Sequence, residues 1–388
     1  MTARYPIQFR RIVLLACLGG LAIAFLPGLA SAADPLQGID AEREEVRIEK
    51  EFKRASIADA YLQRIADRIV AAAPTPASTR IRIKAVIDRN PFAFCMGNGA
   101  MYVSTGLLAR LESDSQVAAI LAPEITGALA PNHELQKEFA AKNGKHLGAK
   151  LFAVIATAGM AAFPIVSAEN KAMMSQADAL VLDNDITAAT WARRAGFDVA
   201  QGPVAIRRLH EQLGAEKQYG YNRLSSDSGL KNRGAQLERA IAALPVESAP
   251  PVPATGETDE IGKLARQFSI LIAYDYLENT RHDGLPALLD RIELEHGVDG
   301  RTACLRAQYV RETSRGAMAA TVIEAFEKCV AQPDAPVMNL RELAFLQRDA
   351  GNAAAAIKSF EKYLERAPRA VDAPIIKIYI EELRAKPE

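Results

Sequence analysis

Hydrophobic and polar positions follow two different periods along the chain. In residues 80–88, Ile81, Ile83 and Ala85 fall on one side and Arg82 and Lys84 on the other. That period of two predicts a half-buried strand. Residues 100–104 predict a second short strand, with Gly97 and Gly99 in the turn between. Residues 42–73 are charged and amphipathic at helical spacing. From Asp114 the pattern is helical again, and Ser113 is placed to cap it. Residues 151–168 carry no charged side chain. Eighteen such residues just suffice to cross a bilayer. Pro164 and the many alanines favour a buried helix or a membrane-touching hairpin. Residues 244–258 hold Pro245, Pro250, Pro251 and Pro253 among small residues, which predicts an extended linker. Residues 259–388 read as helix pairs throughout.

The helix pairs repeat. Gly316 and Gly351 lie 35 residues apart, and each is followed 17 residues later by a proline, Pro333 and Pro368. In residues 337–370, Leu340, Leu343 and Ala344 sit on a first helix, Gly351 takes the turn, Ala356 and Phe360 sit on a second helix, and Pro368 marks the exit. Small residues at helix crossings and large ones in the gaps suit antiparallel stacking. The segment resembles a tetratricopeptide repeat; residues 302–333 look like a weaker copy and 267–298 like a third. The resemblance implies an α-solenoid whose concave surface receives protein or peptide segments and does no chemistry itself. Cys304 and Cys329 fall near the start of one repeat helix and the end of its antiparallel partner. Both a disulfide and two buried thiols fit that spacing.

Charge and composition narrow the function classes. Lysine plus arginine equals aspartate plus glutamate at 47 each, so no strong field points to nucleic acid. Hydrophobic residues at 49% exclude a disordered chain. Residues 1–32 read as a secretory signal: Arg4, Arg10 and Arg11, an apolar run over 12–26, then Ala30-Ser31-Ala32 as a small-x-small cleavage site. Leu14-Leu15-Ala16-Cys17 loosely resembles a lipobox. Cleavage leaves 44 basic against 47 acidic residues. A periplasmic or otherwise exported location, in an oxidising compartment, is the expectation.

A further resemblance rests on residues 40–243. Asn90-Pro91-Phe92-Ala93-Phe94 leads through glycines to residues 101–108, Met-Tyr-Val-Ser-Thr-Gly-Leu-Leu, and then to a helical stretch containing Pro123-Glu124-Ile125-Thr126-Gly127. This is similar to gluzincin metallopeptidases of the CAAX-prenyl-protease and periplasmic β-barrel-assembly-enhancing protease type. In that family a strand pair precedes a helix bearing HExxH. Its two histidines hold zinc and its glutamate activates water. A later helix supplies a glutamate ligand in a pattern like E-x-x-A-D, whose aspartate stands ten residues before an A-G-[YF]-D turn. Here Asp185 stands ten residues before Ala195-Gly196-Phe197-Asp198. Ser225-Ser226-Asp227-Ser228 with Arg233 looks like a worn copy of the family's S-x-H-P segment and its arginine.

The ligands themselves are missing. Pro123 and Gly127 occupy the two histidine positions, and Val181 the third-ligand position; only Glu124 matches, at the base position. Asp183 stands two positions from Val181 and so faces elsewhere. None of His133, His146, His210, His282 and His296 has a histidine four residues on. Pro123 should also kink or restart its helix, since an interior proline costs about 3 kcal/mol. The expectation is a mainly α chain, with an α+β peptidase-like domain carrying a small sheet, then a helical repeat array. Its expected role is non-catalytic: an adaptor or chaperone-like factor in envelope protein quality control, without a cofactor. The competing reading is a zinc metalloendopeptidase with atypical ligands. Residues 151–168 are the expected peripheral membrane contact.

Overall fold

The computed structural model describes residues 41–74, 79–96, 98–129, 171–220, 224, 226–244, 260–279, 282–314 and 319–385. The expected signal over 1–32, most of the linker over 244–258, and the uncharged segment 151–168 lie outside the described residues, as do His133 and His146. The chain is mainly helical with one small sheet. Among the described residues no helix is long and apolar enough to cross a membrane. Two compact units divide the chain: residues 1–214 with 218–265, and residues 215–217 with 266–388.

The first unit opens with α1 (Ala41–Glu51), a 3-10 turn (Ser56–Ala58) and α2 (Asp59–Ala71). The single helical stretch expected over 42–73 is therefore broken. The break is bought by the sheet: Ala55 N–H donates to Ala85 O at 2.9 Å and Ile87 N–H to Lys53 O at 2.8 Å. Strand-type bonds at 53–55 replace helical ones, and charge patterning does not reveal that exchange.

The sheet contains β1 (Arg82–Val86), β2 (Ala93–Cys95) and β3 (Ala100–Ser104) in the order β1-β3-β2. β1 runs parallel to β3 and β2 antiparallel to it. Ile83 and Ala85 are buried while Arg82 is exposed, as the alternation in the sequence requires. Gly99 has φ +80°, and a Cβ there would come within 2.2 Å of Arg80 O, so the turn into β3 needs glycine.

Next come α3 (Thr105–Leu108), α4 (Asp114–Leu129), α5 (Lys171–Arg194), α6 (Gln201–Ala215) and α7 (Asp227–Ala242). Ser113 caps α4 by accepting from Gln116 N–H at 3.2 Å. Tyr61 ties α2 to α4 by donating to Asp114 Oδ1 at 2.8 Å. α4 packs against β2, α2 and α5.

The remaining helices are α8 (Glu260–Glu278), α9 (Leu285–His296), α10 (Gly300–Thr313), α11 (Ala319–Val330), α12 (Met338–Asp349), α13 (Ala353–Arg366) and α14 (Ala373–Ala385). From α9 to α14 each helix packs on the next. Gly351, at φ +80°, makes the turn between α12 and α13. Leu340 (2% exposed), Ala344, Ala356 and Phe360 (0%) form one cluster with Tyr363 and Ile376; Leu343 joins the neighbouring cluster around Phe326. Cys304 on α10 and Cys329 on α11 form a disulfide across 25 residues of sequence. A closed loop of that length is worth about 3–4 kcal/mol by the chain-entropy relation.

Candidate functional site

The resemblance to metallopeptidases places the site on α4 where it meets α5 and β2. α4 runs unbroken through Pro123, so the expected restart does not occur. The neighbouring turn is held by side chains. Asn184 of α5 donates from Nδ2 to Pro123 O at 2.9 Å, and Thr126 donates to Asn184 Oδ1 at 3.0 Å. Thr126 Oγ1 also lies 3.0 Å from Ala122 O. Asn184 thereby satisfies two polar groups of α4 from across the α4–α5 seam. Sequence reasoning missed it, although it stands three residues after Val181 and so on the same face of α5.

Glu124 is buried, at 9% exposure. Its carboxylate is close enough to Cys95 of β2 to act on the thiol electrostatically. Burial pushes the Cys95 thiol up to about 12, and the Glu124 charge adds to that rise. The thiol therefore stays protonated at neutral pH and is a poor nucleophile. Cys95 is a buried free cysteine.

The positions that the resemblance assigns to zinc ligands do not suit the metal. Pro123 and Gly127 carry no side-chain donor atom. A Cβ at Gly127 would lie 3.9 Å from Asn184 Nδ2, an ordinary contact distance, so the position faces Asn184 of α5. Val181 is half-buried and apolar. Asp183 is exposed, on another face of α5 from the buried Asp185. Among the described residues, no three His, Cys, Asp or Glu side chains are grouped so as to hold a metal ion.

The surrounding scaffold is well built. Asp185 of α5 and Arg233 of α7 form a hydrogen-bonded ion pair with side chains 2% and 3% exposed. These two residues come from separate pieces of the sequence resemblance, the E-x-x-A-D pattern and the S-x-H-P segment. The Ala195-Gly196-Phe197-Asp198 turn ends α5, with Gly196 at φ +81°. Arg68 lies 4.1 Å over the Phe197 ring and donates to Ala195 O at 2.9 Å. Asp227 accepts from His210 at 2.7 Å and from Lys231 at 3.0 Å. These two bonds, His210 first, hold the Asp227 carboxyl below the usual carboxylate range. His210 thus has a carboxylate partner on α7 and stands on α6.

Residues 56–196 match the model of Peptidase family M48, consistent with a gluzincin-type peptidase domain. The match begins at the 3-10 turn, takes in the sheet, α4 and α5, and ends at the glycine of the Ala195-Gly196 turn. A comparison with curated proteins gave no match.

Leu340, Leu343 and Phe360 are all buried in the second unit. They frame its helix pairs and offer little surface to a partner.

Proposed function

We propose that this chain is an exported, non-catalytic relative of metallopeptidases that acts by binding, as an adaptor or chaperone-like factor in envelope protein quality control. One contrast carries the reading. The buried Asp185–Arg233 pair and the buried Glu124 keep a peptidase-type scaffold, while Pro123, Gly127 and Val181 stand where zinc would need donors. A catalytic zinc takes about three protein ligands. Glu124 without a metal has no bound water to activate, and the Cys95 thiol beside it is held protonated.

Binding then falls to the second unit, read as a tetratricopeptide-like array. Its stacked helix pairs, consistent with that repeat, supply an extended surface for a protein or peptide segment. Residues 1–32 as a cleaved signal, a Pro-rich linker over 244–258 and membrane contact through 151–168 complete the proposal. The exported location suits the Cys304–Cys329 disulfide, since such bonds persist in oxidising compartments.

The test is capture from envelope extracts by the immobilised full chain. Glu124→Ala is expected to leave the captured set unchanged, and a chain ending at residue 258 to lose it. Capture that survives the truncation but fails with Glu124→Ala would make the α4–α5 cleft the working site.

A further inference from the structure

α14 is apolar on two opposite faces. Ile376, Ile380 and Leu383 are buried, and they seat the helix on α13 and the cluster around Phe360. At 3.6 residues per turn, Ile375, Ile378 and Glu382 fall on the face turned away from that core. Ile375 and Ile378 are each 53% exposed, and Val371, in the turn before the helix, is fully exposed. Pro374 and Ala385 lie on the same outer face and are exposed as well. Single exposed apolar residues are ordinary. A line of them directly opposite the buried face is not, since a helix apolar on both sides is normally covered on both.

The charges beside this line say what covers it. Arg384 is paired with Glu361, and Asp372 with Arg341 and Tyr363. Lys377, Glu381 and Glu382 make no ion pair or side-chain hydrogen bond among the described residues. Lys377 and Glu381 stand four residues apart, in the order that gives the weaker helical pair. Both flank the apolar line on the same side. A second copy of α14, running antiparallel across a two-fold axis near residue 379, brings Lys377 of each helix to Glu381 of the other. Four residues span about 6 Å, so one register satisfies both pairs. The two Ile378 side chains then meet at the axis, and Ile375 of each helix lies toward the Ala385 end of the other. A parallel copy would set Lys377 on Lys377 and Glu381 on Glu381. A two-fold contact requires such self-complementarity, because the same patch serves both sides.

We propose that the outer face of α14 is the contact between two copies of this chain, paired antiparallel through Ile375 and Ile378 and fastened by Lys377 and Glu381. Each side contributes one helix of 13 residues, well below a standard protein interface, so the dimer is weak and reversible. The contact is independent of whether the first unit is catalytic. A membrane surface is the poorer occupant, because anionic headgroups repel Glu381 and Glu382 at the border of the apolar line.

The test is sedimentation equilibrium of the full chain from about 1 to about 200 µM, the range in which a small interface dissociates. The average mass is expected to rise from one chain toward two. Ile378→Glu is expected to weaken association about tenfold or more, with thermal melting of the dilute chain unchanged because the side chain is exposed. Lys377→Glu and Glu381→Lys are each expected to weaken it by setting like charges together. Their equimolar mixture is expected to associate as tightly as the unaltered chain, since one variant then offers only acids at these two positions and the other only bases. A mass of one chain throughout would overturn the proposal and leave this face to a different partner. Association that Ile378→Glu leaves intact would place the contact elsewhere and overturn it too. So would a mixture of the two charge variants that associates no better than either alone.

Discussion

Phe360→Ala is expected to destabilise the second unit by about 3–5 kcal/mol, the cost typical of deleting a buried aromatic side chain. Phe360, on α13, is fully buried against α12 and α14. Its ring meets Phe345 edge-on at 5.1 Å and stacks with Tyr379 at 6.2 Å. Arg348 in turn covers Phe345 and Tyr379, at 4.9 and 5.3 Å. Truncation leaves a void that three helices must close at once, and their fixed pairing through Gly351 limits how far they can collapse. Phe360→Leu, which keeps most of the volume, is expected to cost markedly less. Urea denaturation of the full chain followed by circular dichroism measures both. A loss below about 1 kcal/mol for Phe360→Ala would contradict the packing described for this cluster.

Arg233→Ala is expected to cost a similar amount in the first unit, about 3–5 kcal/mol, because it strands the buried Asp185 carboxylate without its cation. Asp185→Ala strands the guanidinium in the same way. The double variant is expected to recover a large part of either loss, since a buried pair replaced as a pair is often near neutral. A double-mutant cycle reads the coupling directly. Losses that simply add would show that the two side chains do not depend on each other, and the link between α5 and α7 would have to lie elsewhere.

Much of this architecture could be read from the chain, for identifiable reasons. The alternation over 81–85 and the glycine at 99 predicted strands because period-two burial and a left-handed turn leave direct marks on sequence. Gly351, Ala356 and Phe360 marked a helix pair because close crossings demand small residues and gaps demand large ones. The break between α1 and α2 left no such mark. It arises from long-range bonds between residues 53–55 and 85–87, and the sequence around Arg54 looks as helical as its flanks. β2 was likewise hidden: Asn90-Pro91-Phe92-Ala93-Phe94 carries no polar alternation, since all three residues of the strand are buried. The continuity of α4 through Pro123 went against propensity, and a neighbouring bridge by Asn184, on a helix 58 residues further on from Thr126, accompanies it. The proposed loss of the zinc ligands rests on the sequence alone, on Pro123, Gly127 and Val181 at the positions the resemblance assigns to them.

The most direct measurement is metal content and proteolysis on one preparation of the purified chain. Elemental analysis is expected to find far less than one zinc per chain, and casein cleavage to be absent both before and after chelation, with Glu124→Gln indistinguishable from the unaltered protein. One tightly held zinc per chain, with casein cleavage that a chelator and Glu124→Gln each abolish, would establish a working metallopeptidase and contradict the non-catalytic assignment.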